Sequence, residues 1–243
     1  MLNLQNLDQK WQENKKDKPL TFLPDVNLSL FERRLIIEFE EFCISKGYSY
    51  LSIPSIVPKT CYQKQGTVDP EKVFGFGDYR LTGSAEQRIL ESFSNQTILS
   101  NLKIVSTNQC FRNELEYVEL LRLAEFKKVE QFGFLTSSTA ALITFDEFLN
   151  NSIAFLKKYK IEYRVIDETE TDQGYHHKKY DIQIKTNLFG WIETHSCSYF
   201  EKEQTKRFNI SGAQYTVSCT GIASPRILIP FLEKNKTLKW KHQ

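Results

Sequence analysis

Two rhythms of apolar and polar residues run along the chain. Phe31, Leu35, Phe39, Phe42 and Cys43 recur at helical spacing, and Ser29 with Glu32 reads as a capping box opening an amphipathic helix of about four turns. Gly47 closes it. Tyr48 to Ile56 then reads as a strand stopped by Pro54 and Pro58, and residues 60–80 read as a loop.

The β rhythm dominates afterwards. Ile104 to Glu114 and Phe126 to Leu135 are rich in β-formers and flank an acidic connector, Leu115 to Leu121, which predicts an antiparallel pair. Residues 138–159 return to helical spacing through Ala141, Phe145, Phe148, Leu149, Ala154 and Phe155. Four more strands are expected at Ile161–Ile166, Tyr180–Lys185, Trp191–Ser198 and Tyr215–Cys219. Ser224-Pro225-Arg226 opens a closing helix through Leu232, with proline at its first position. Strands in succession with few crossover helices predict an α+β fold around an antiparallel sheet.

Length allows one domain: 243 residues, 40% of them hydrophobic, can fill a single substantial core. Residues 1–27 form a short polar lead-in with Pro19 and Pro24, leaving 28–243 as the domain. A formal charge of +2 creates no global field for nucleic acid. Five cysteines without a C-x-x-C pair argue against a disulfide framework and a zinc ribbon, and point to a reducing cytoplasm. No signal-peptide core or apolar run of membrane length is present, so no membrane association is expected.

Against that bland background, three charged clusters stand out. Arg112 and Glu114 are expected on one strand face, with Arg122 across the connector and Glu130 on the returning strand. Glu193-Thr-His-Ser196-Cys-Ser198 places acid and hydroxyl groups where a strand should be apolar. Arg226 begins a helix directly after Thr220-Gly-Ile-Ala-Ser. Charges on a core-facing sheet need partners or a ligand. Arginine forks with carboxylate-held magnesium suit a polyphosphate, although each pair alone also fits a cross-strand ion pair. His195 reads as a packed core residue, and His176-His177 as a solvated loop.

These stretches resemble the class II aminoacyl-tRNA synthetases, and the seryl enzymes most. Gly47-Tyr-Ser-Tyr-Leu-Ser-Ile-Pro54 resembles the first class motif, which builds the family's homodimer interface. Cys110-Phe-Arg-Asn-Glu114 through Arg122-Leu-Ala-Glu-Phe-Lys-Lys-Val-Glu130 resembles the second, and Gly221-Ile-Ala-Ser-Pro-Arg226 the third. The seryl likeness rests on Tyr163-Arg-Val, Lys179-Tyr-Asp, Glu193-Thr-His-Ser-Cys-Ser198 and Gln204-Thr-Lys-Arg207.

The resemblance implies an enzyme that joins a small amino acid, serine favoured, to ATP as an adenylate, with Mg2+. By residue, Arg112 would grip the α-phosphate and Glu114 would sit near the adenine amino group, with Phe126 stacking on the ring. Arg122 and Arg226 would hold the γ-phosphate, while Glu193 and Ser196 would bind magnesium. Arg112 and Arg226 are thus the catalytic pair. Ser84, Glu86, Arg112, Glu130 and Thr220 would form the amino-acid site, Glu86 taking the α-amino group and Glu130 with Thr220 the side-chain hydroxyl. Zinc-dependent relatives place a ligand close to Cys219, with their other cysteine near Ser84.

Two departures bear on the acceptor. The connector Leu115–Leu121 is shorter than the seryl loop that touches tRNA and lacks its glycines and basic residues, and only about 28 residues precede the first motif, too few for the seryl arm. A carrier-protein thiol is therefore the first expectation for the acceptor. A minimal tRNA ligase and a non-catalytic binding or regulatory homologue are the alternatives. Pro230 inside the closing helix would remove the bond to the Arg226 carbonyl, at about 3 kcal/mol.

Overall fold

A computed structural model describes residues 26–66, 73–114, 116–172 and 174–234. The expected lead-in up to residue 25 lies outside the described residues. Helix α1 (Val26–Ser45) starts before Ser29, because burying Leu28 under the core extends it. Ser29 is therefore no cap. Glu32 turns inward instead, pairing with Lys127 and accepting a hydrogen bond from Ser224.

The expected strand from Tyr48 to Ile56 is divided. β1 (Ser49–Tyr50) joins the main sheet, and β2 (Ile56–Pro58) joins another. Leu51 still donates to the Val105 carbonyl at 3.1 Å, but Pro54 has no N–H with which to continue the ladder. Residues 60–80 also depart from the loop expected of them: α2 (Lys59–Gln65) is followed by the short strands β3 (Gly75–Phe76) and β4 (Tyr79–Leu81), and β4 pairs with both β2 and β3. Gly66, at φ 73°, closes α2 in the left-handed region.

α3 (Ala85–Ser92) follows, opened by a capping box from Ser84 and Gln87. The main elements then come in sequence: β5 (Thr97–Ile98), β6 (Leu102–Phe111), β7 (Glu125–Leu135), α4 (Ser138–Lys158), β8 (Tyr163–Asp167), β9 (Lys178–Thr186), β10 (Gly190–Tyr199), α5 (Glu203–Arg207), β11 (Ser211–Gly212) and β12 (Tyr215–Ser224). Seven strands form one sheet in the order β1-β6-β7-β12-β10-β9-β8, antiparallel except where β1 meets β6. The α+β expectation holds. Arg112 and Glu114, expected within a strand, lie just beyond the end of β6.

Strand alternation gives this sheet two unlike faces. Val105, Val129, Ile182, Ile184, Cys197, Val217 and Cys219 belong to the large apolar core with residues of α1 and α4. On the other face, Ile104, Phe132 and Phe134 pack under α3 in a second core, while Glu130, Ser218 and Thr220 stay polar yet buried. The site occupies that polar stretch.

The closing segment differs from a single helix. Arg226–Leu228 is a 3-10 turn, and α6 (Ile229–Lys234) begins only after it. The Arg226 carbonyl accepts from Ile229 N–H, so Pro230 falls in the first turn of α6, where no intrahelical donor is needed, and its expected penalty vanishes. All five cysteines are free and buried, and no described helix is long and apolar enough to cross a membrane.

Gly221 sits at an irregularity in β12 between Thr220 and Ile222, and a Cβ there would lie 2.2 Å from the Phe39 ring. Phe39 is fully buried and cannot retreat. Gly221→Ala should therefore lower unfolding free energy by about 1–3 kcal/mol, read from chemical denaturation.

Candidate active site

An open cleft of about 610 Å³ lies on the polar face of the sheet, lined by Arg112, Glu114, Arg122, Phe126, Lys128, Glu193, Ser196, Thr220 and Arg226 among others. Every residue expected at a nucleotide is therefore in one place, although β6, the connector, β7, β10 and β12 deliver them separately. Arg226 donates to the carbonyls of Leu121 (2.7 Å) and Glu193 (2.8 Å). Burial depresses its basicity, and Arg112 and Arg122 nearby push the same way. Arg112 donates to the Gly83 carbonyl at 3.3 Å and lies over the Phe126 ring, 5.2 Å from its centroid.

Among the described residues, no ion pair joins Arg112, Arg122 or Arg226 to a carboxylate. Three guanidinium groups without an ion-paired carboxylate, with Glu193 and Glu114 as the nearest countercharges on Arg226, suit an anion.

Acidic residues share the cleft, with Glu114 and Glu193 lining it beside the arginines. Glu193 is exposed, and Ser196 pairs in register with Asp181 on β9. Burial and the Glu193 charge raise the Asp181 carboxyl to about 6, and its Oδ1 is buried without a hydrogen-bond partner. Two carboxylates and a hydroxyl with an unsatisfied oxygen fit a hard divalent cation such as magnesium. Asp181, paired with Lys179 at 3.8 Å, is a candidate neighbour to the expected pair of Glu193 and Ser196.

Deeper in, Glu130 is 1% exposed. It accepts from Ser84 Oγ (3.1 Å) and Ser218 Oγ (2.8 Å), and pairs with Lys128. Thr220 is its direct partner across β12. Glu86 accepts from Gln65 Nε2 at 3.0 Å, and burial plus the nearby Glu130 raises its carboxyl to about 7. The expected amino-acid set thus gathers beside the arginine cleft, joined to it through Lys128 and Thr220.

Sequence reading passed over Lys128 and Ser218, although each is two residues from an expected site residue and so shares its strand face. His195 is a core residue, as expected: its Nε2–H donates to the Gly221 carbonyl at 3.0 Å, leaving Nδ1 to accept from Thr194 Oγ1 at 2.7 Å. Burial lowers its pKa to about 4. Cys219 packs with the helices on the opposite face from Ser84 and Glu130, so these three cannot converge on one metal. Among the described residues, no cluster of three or more His, Cys, Asp or Glu side chains could hold one.

The family model for the tRNA synthetase class II core domain (G, H, P, S and T) matches residues 76–235. The chain belongs to the class II tRNA synthetase core family. A serine–tRNA ligase of Deinococcus radiodurans is 28% identical over 248 residues, spanning 89% of this chain and 56% of the relative. Another from Herpetosiphon aurantiacus is 31% identical over 213 residues, spanning 77% and 49%. The chain thus spans about half the length of these curated relatives. The class II fold recurs in a Pyrococcus horikoshii seryl-tRNA synthetase complexed with ATP, at TM-score 0.78 and 23% identity over 90% of this chain and 54% of that one. A Naegleria fowleri cytoplasmic serine-tRNA ligase in complex with AMP gives TM-score 0.77 and 24% identity, over 90% and 51%.

Glu86 provides a pH test within this class II site. Its folded pKa, about 7, lies above the ordinary 4.5, so the folded state holds its proton more tightly than the unfolded state does. That contribution is complete below about pH 4.5 and is lost as pH rises through 7. Thermal melts of the ligand-free protein should show a fall in stability across this window, and Glu86→Gln should flatten that part of the profile.

Proposed function

We propose that the chain activates a small amino acid, most favourably serine, with ATP and passes the aminoacyl group to an acceptor. The observation that carries this reading is the gathering of Arg112, Arg122 and Arg226, none of them ion-paired to a carboxylate, beside the buried carboxylates Glu86 and Glu130. One half suits a polyphosphate, the other an ammonium and a hydroxyl.

In this reading the amino-acid carboxylate attacks the α-phosphorus in line, the phosphoanhydride bond breaks, and pyrophosphate leaves. A carboxylate is already the nucleophile, so positioning and charge stabilisation matter more than a general base. Arg112, free to leave the Gly83 carbonyl, would neutralise the α-phosphate, and Phe126 would stack on the adenine. Arg226 and Arg122 would hold the leaving phosphates. Glu193 and Ser196, with Asp181, would hold magnesium, which neutralises phosphate charge when bound. Glu130, braced by Lys128 and Ser218, would take the serine hydroxyl with Thr220.

The acceptor reading favours a carrier-protein thiol. The connector folds into a tight turn: Val118 and Arg122 bond to each other, and Leu120 is buried at φ 65°. It carries Glu116 and Glu119 and is tied down through Leu121 by Arg226, a poor surface for a phosphate backbone. Transfer to tRNA is the second reading, favoured by the names of the relatives. A homodimer is supported by Leu30, Ile37 and Ile44, exposed at seven-residue intervals along the outer side of α1.

Serine-dependent exchange of pyrophosphate into ATP should be observed; its absence with every amino acid would overturn the activation reading and leave a non-catalytic homologue. Arg112→Ala should reduce exchange by at least about a hundredfold with the fold intact by circular dichroism. Labelled serine offered to tRNA and to a phosphopantetheinylated carrier protein separates the two acceptors. For the dimer, Ile37→Glu should yield a monomer in sedimentation.

A further inference from the structure

The inward side of α1 is apolar with one exception. Leu28, Phe31, Leu35, Ile36, Phe39 and Cys43 are buried along it, and Glu32 is buried among them at 5% exposure. A carboxylate in that setting is costly unless its partners are fixed. Both oxygens are engaged: Oε1 accepts from Ser224 Oγ, and Oε2 pairs with Lys127 Nζ. Lys127 and Ser224 are themselves register partners in the last rung of the β7–β12 ladder. One buried carboxylate therefore fastens that rung to the helix beneath it.

The nucleotide side of the cleft starts from the same rung. Phe126 directly precedes Lys127, Arg226 follows shortly after Ser224, and both Phe126 and Arg226 line the cleft. Past Ser224 the chain leaves the sheet for the 3-10 turn Arg226–Leu228, in which Leu228 N–H donates to the Pro225 carbonyl at 2.8 Å. The Arg226 guanidinium donates to the carbonyls of Leu121 and Glu193, which belong to separate segments. Both bonds form together only if the strand end delivers the Arg226 backbone to one place.

Packing alone does not require a carboxylate at this point. Phe31 already joins α1 to the closing segment by meeting Phe231 edge-on at 4.8 Å, and apolar side chains can replace a buried ion pair at little or no cost in stability. We propose that Glu32 is a positioning residue for the nucleotide half of the site, holding Ser224 and Lys127 from beneath so that Arg226 and Phe126 emerge at a fixed separation. Glu40 supplies the contrast. Further along the same helix it accepts from Thr107 Oγ1 on β6, and Thr107 is paired with Val129, neither of which lines the cleft. Glu40 thus ties α1 to the sheet as Glu32 does, but away from the nucleotide.

This assignment rests on the adenylation reading, and the experiment separates the two. Glu32→Gln keeps an acceptor for Ser224 but loses the charge facing Lys127, whereas Glu32→Met loses both. In pyrophosphate exchange with the full chain, KM for ATP should rise about threefold in the first and about tenfold in the second. KM for serine should stay within about twofold of the parent in both, and Glu40→Gln should leave both constants within about twofold. Unchanged KM for ATP in both Glu32 variants would overturn the proposal. So would an equal rise in the two constants, or the same rise in Glu40→Gln, either being the signature of a helix that has merely loosened. Should Glu32→Met fail to fold, Glu32→Gln decides alone. If the parent shows no exchange at all, the adenylation reading falls, and calorimetric titration of ATP still decides the positioning role. Weaker ATP binding by the Glu32 variants than by Glu40→Gln supports it, while equal binding, or no binding by the parent, overturns it.

Discussion

A carboxylate buried at the middle of a sheet is tolerated only when its surroundings supply charge and hydrogen bonds, and Glu130 is such a group here. Lys128 on the same strand provides the countercharge, Ser218 reaches it from β12, and Ser84 from the start of α3. Those contacts tie the sheet to the layer above it at one point. The proposed amino-acid subsite is built around that point, since Ser84 opens the helix that carries Glu86, and Thr220 lies opposite Glu130 in the ladder. Removing Glu130 would leave Lys128 as an unpaired, largely buried cation, so structure and substrate binding are hard to separate at this residue.

The cleft beside it follows a different logic. Its arginines are held by backbone carbonyls rather than by acids: Arg112 by Gly83, Arg226 by Leu121 and Glu193. Carbonyls orient a guanidinium without neutralising it, so the positive potential remains available to an incoming anion. Glu114 and Glu193 line the same cleft without ion-pairing to the arginines, and Glu86 and Glu130 lie deeper. In the proposed function, one surface would serve a polyphosphate, a metal and an ammonium together.

Departures from the sequence reading share a cause. Ser29 looked like a cap and Pro230 like a helix breaker because each was read against helix limits set by local pattern. Burial of Leu28 moved the first limit, and a 3-10 turn at Arg226–Leu228 moved the last. The segment 60–80 lacked an apolar rhythm because its elements are short and pack through a few residues, Cys61 and Tyr62 among them.

What the sequence determined by itself was the alternation that gives the sheet two faces, the long helices α1 and α4, and the identity of the charged residues in the cleft. Strand and helix periods are local properties, and an arginine or glutamate at a core-facing position is conspicuous before any fold is known. Only the tertiary structure decided that Arg112, Arg226, Glu86 and Glu130, from four different segments, adjoin one another. It alone brought Glu32, Lys127 and Ser224 to one spot, because nothing in the pattern of a helix says which strand end its inward carboxylate will meet. It also decided that Cys219 faces the helices instead of the site, a matter of strand register that a single-residue slip would reverse.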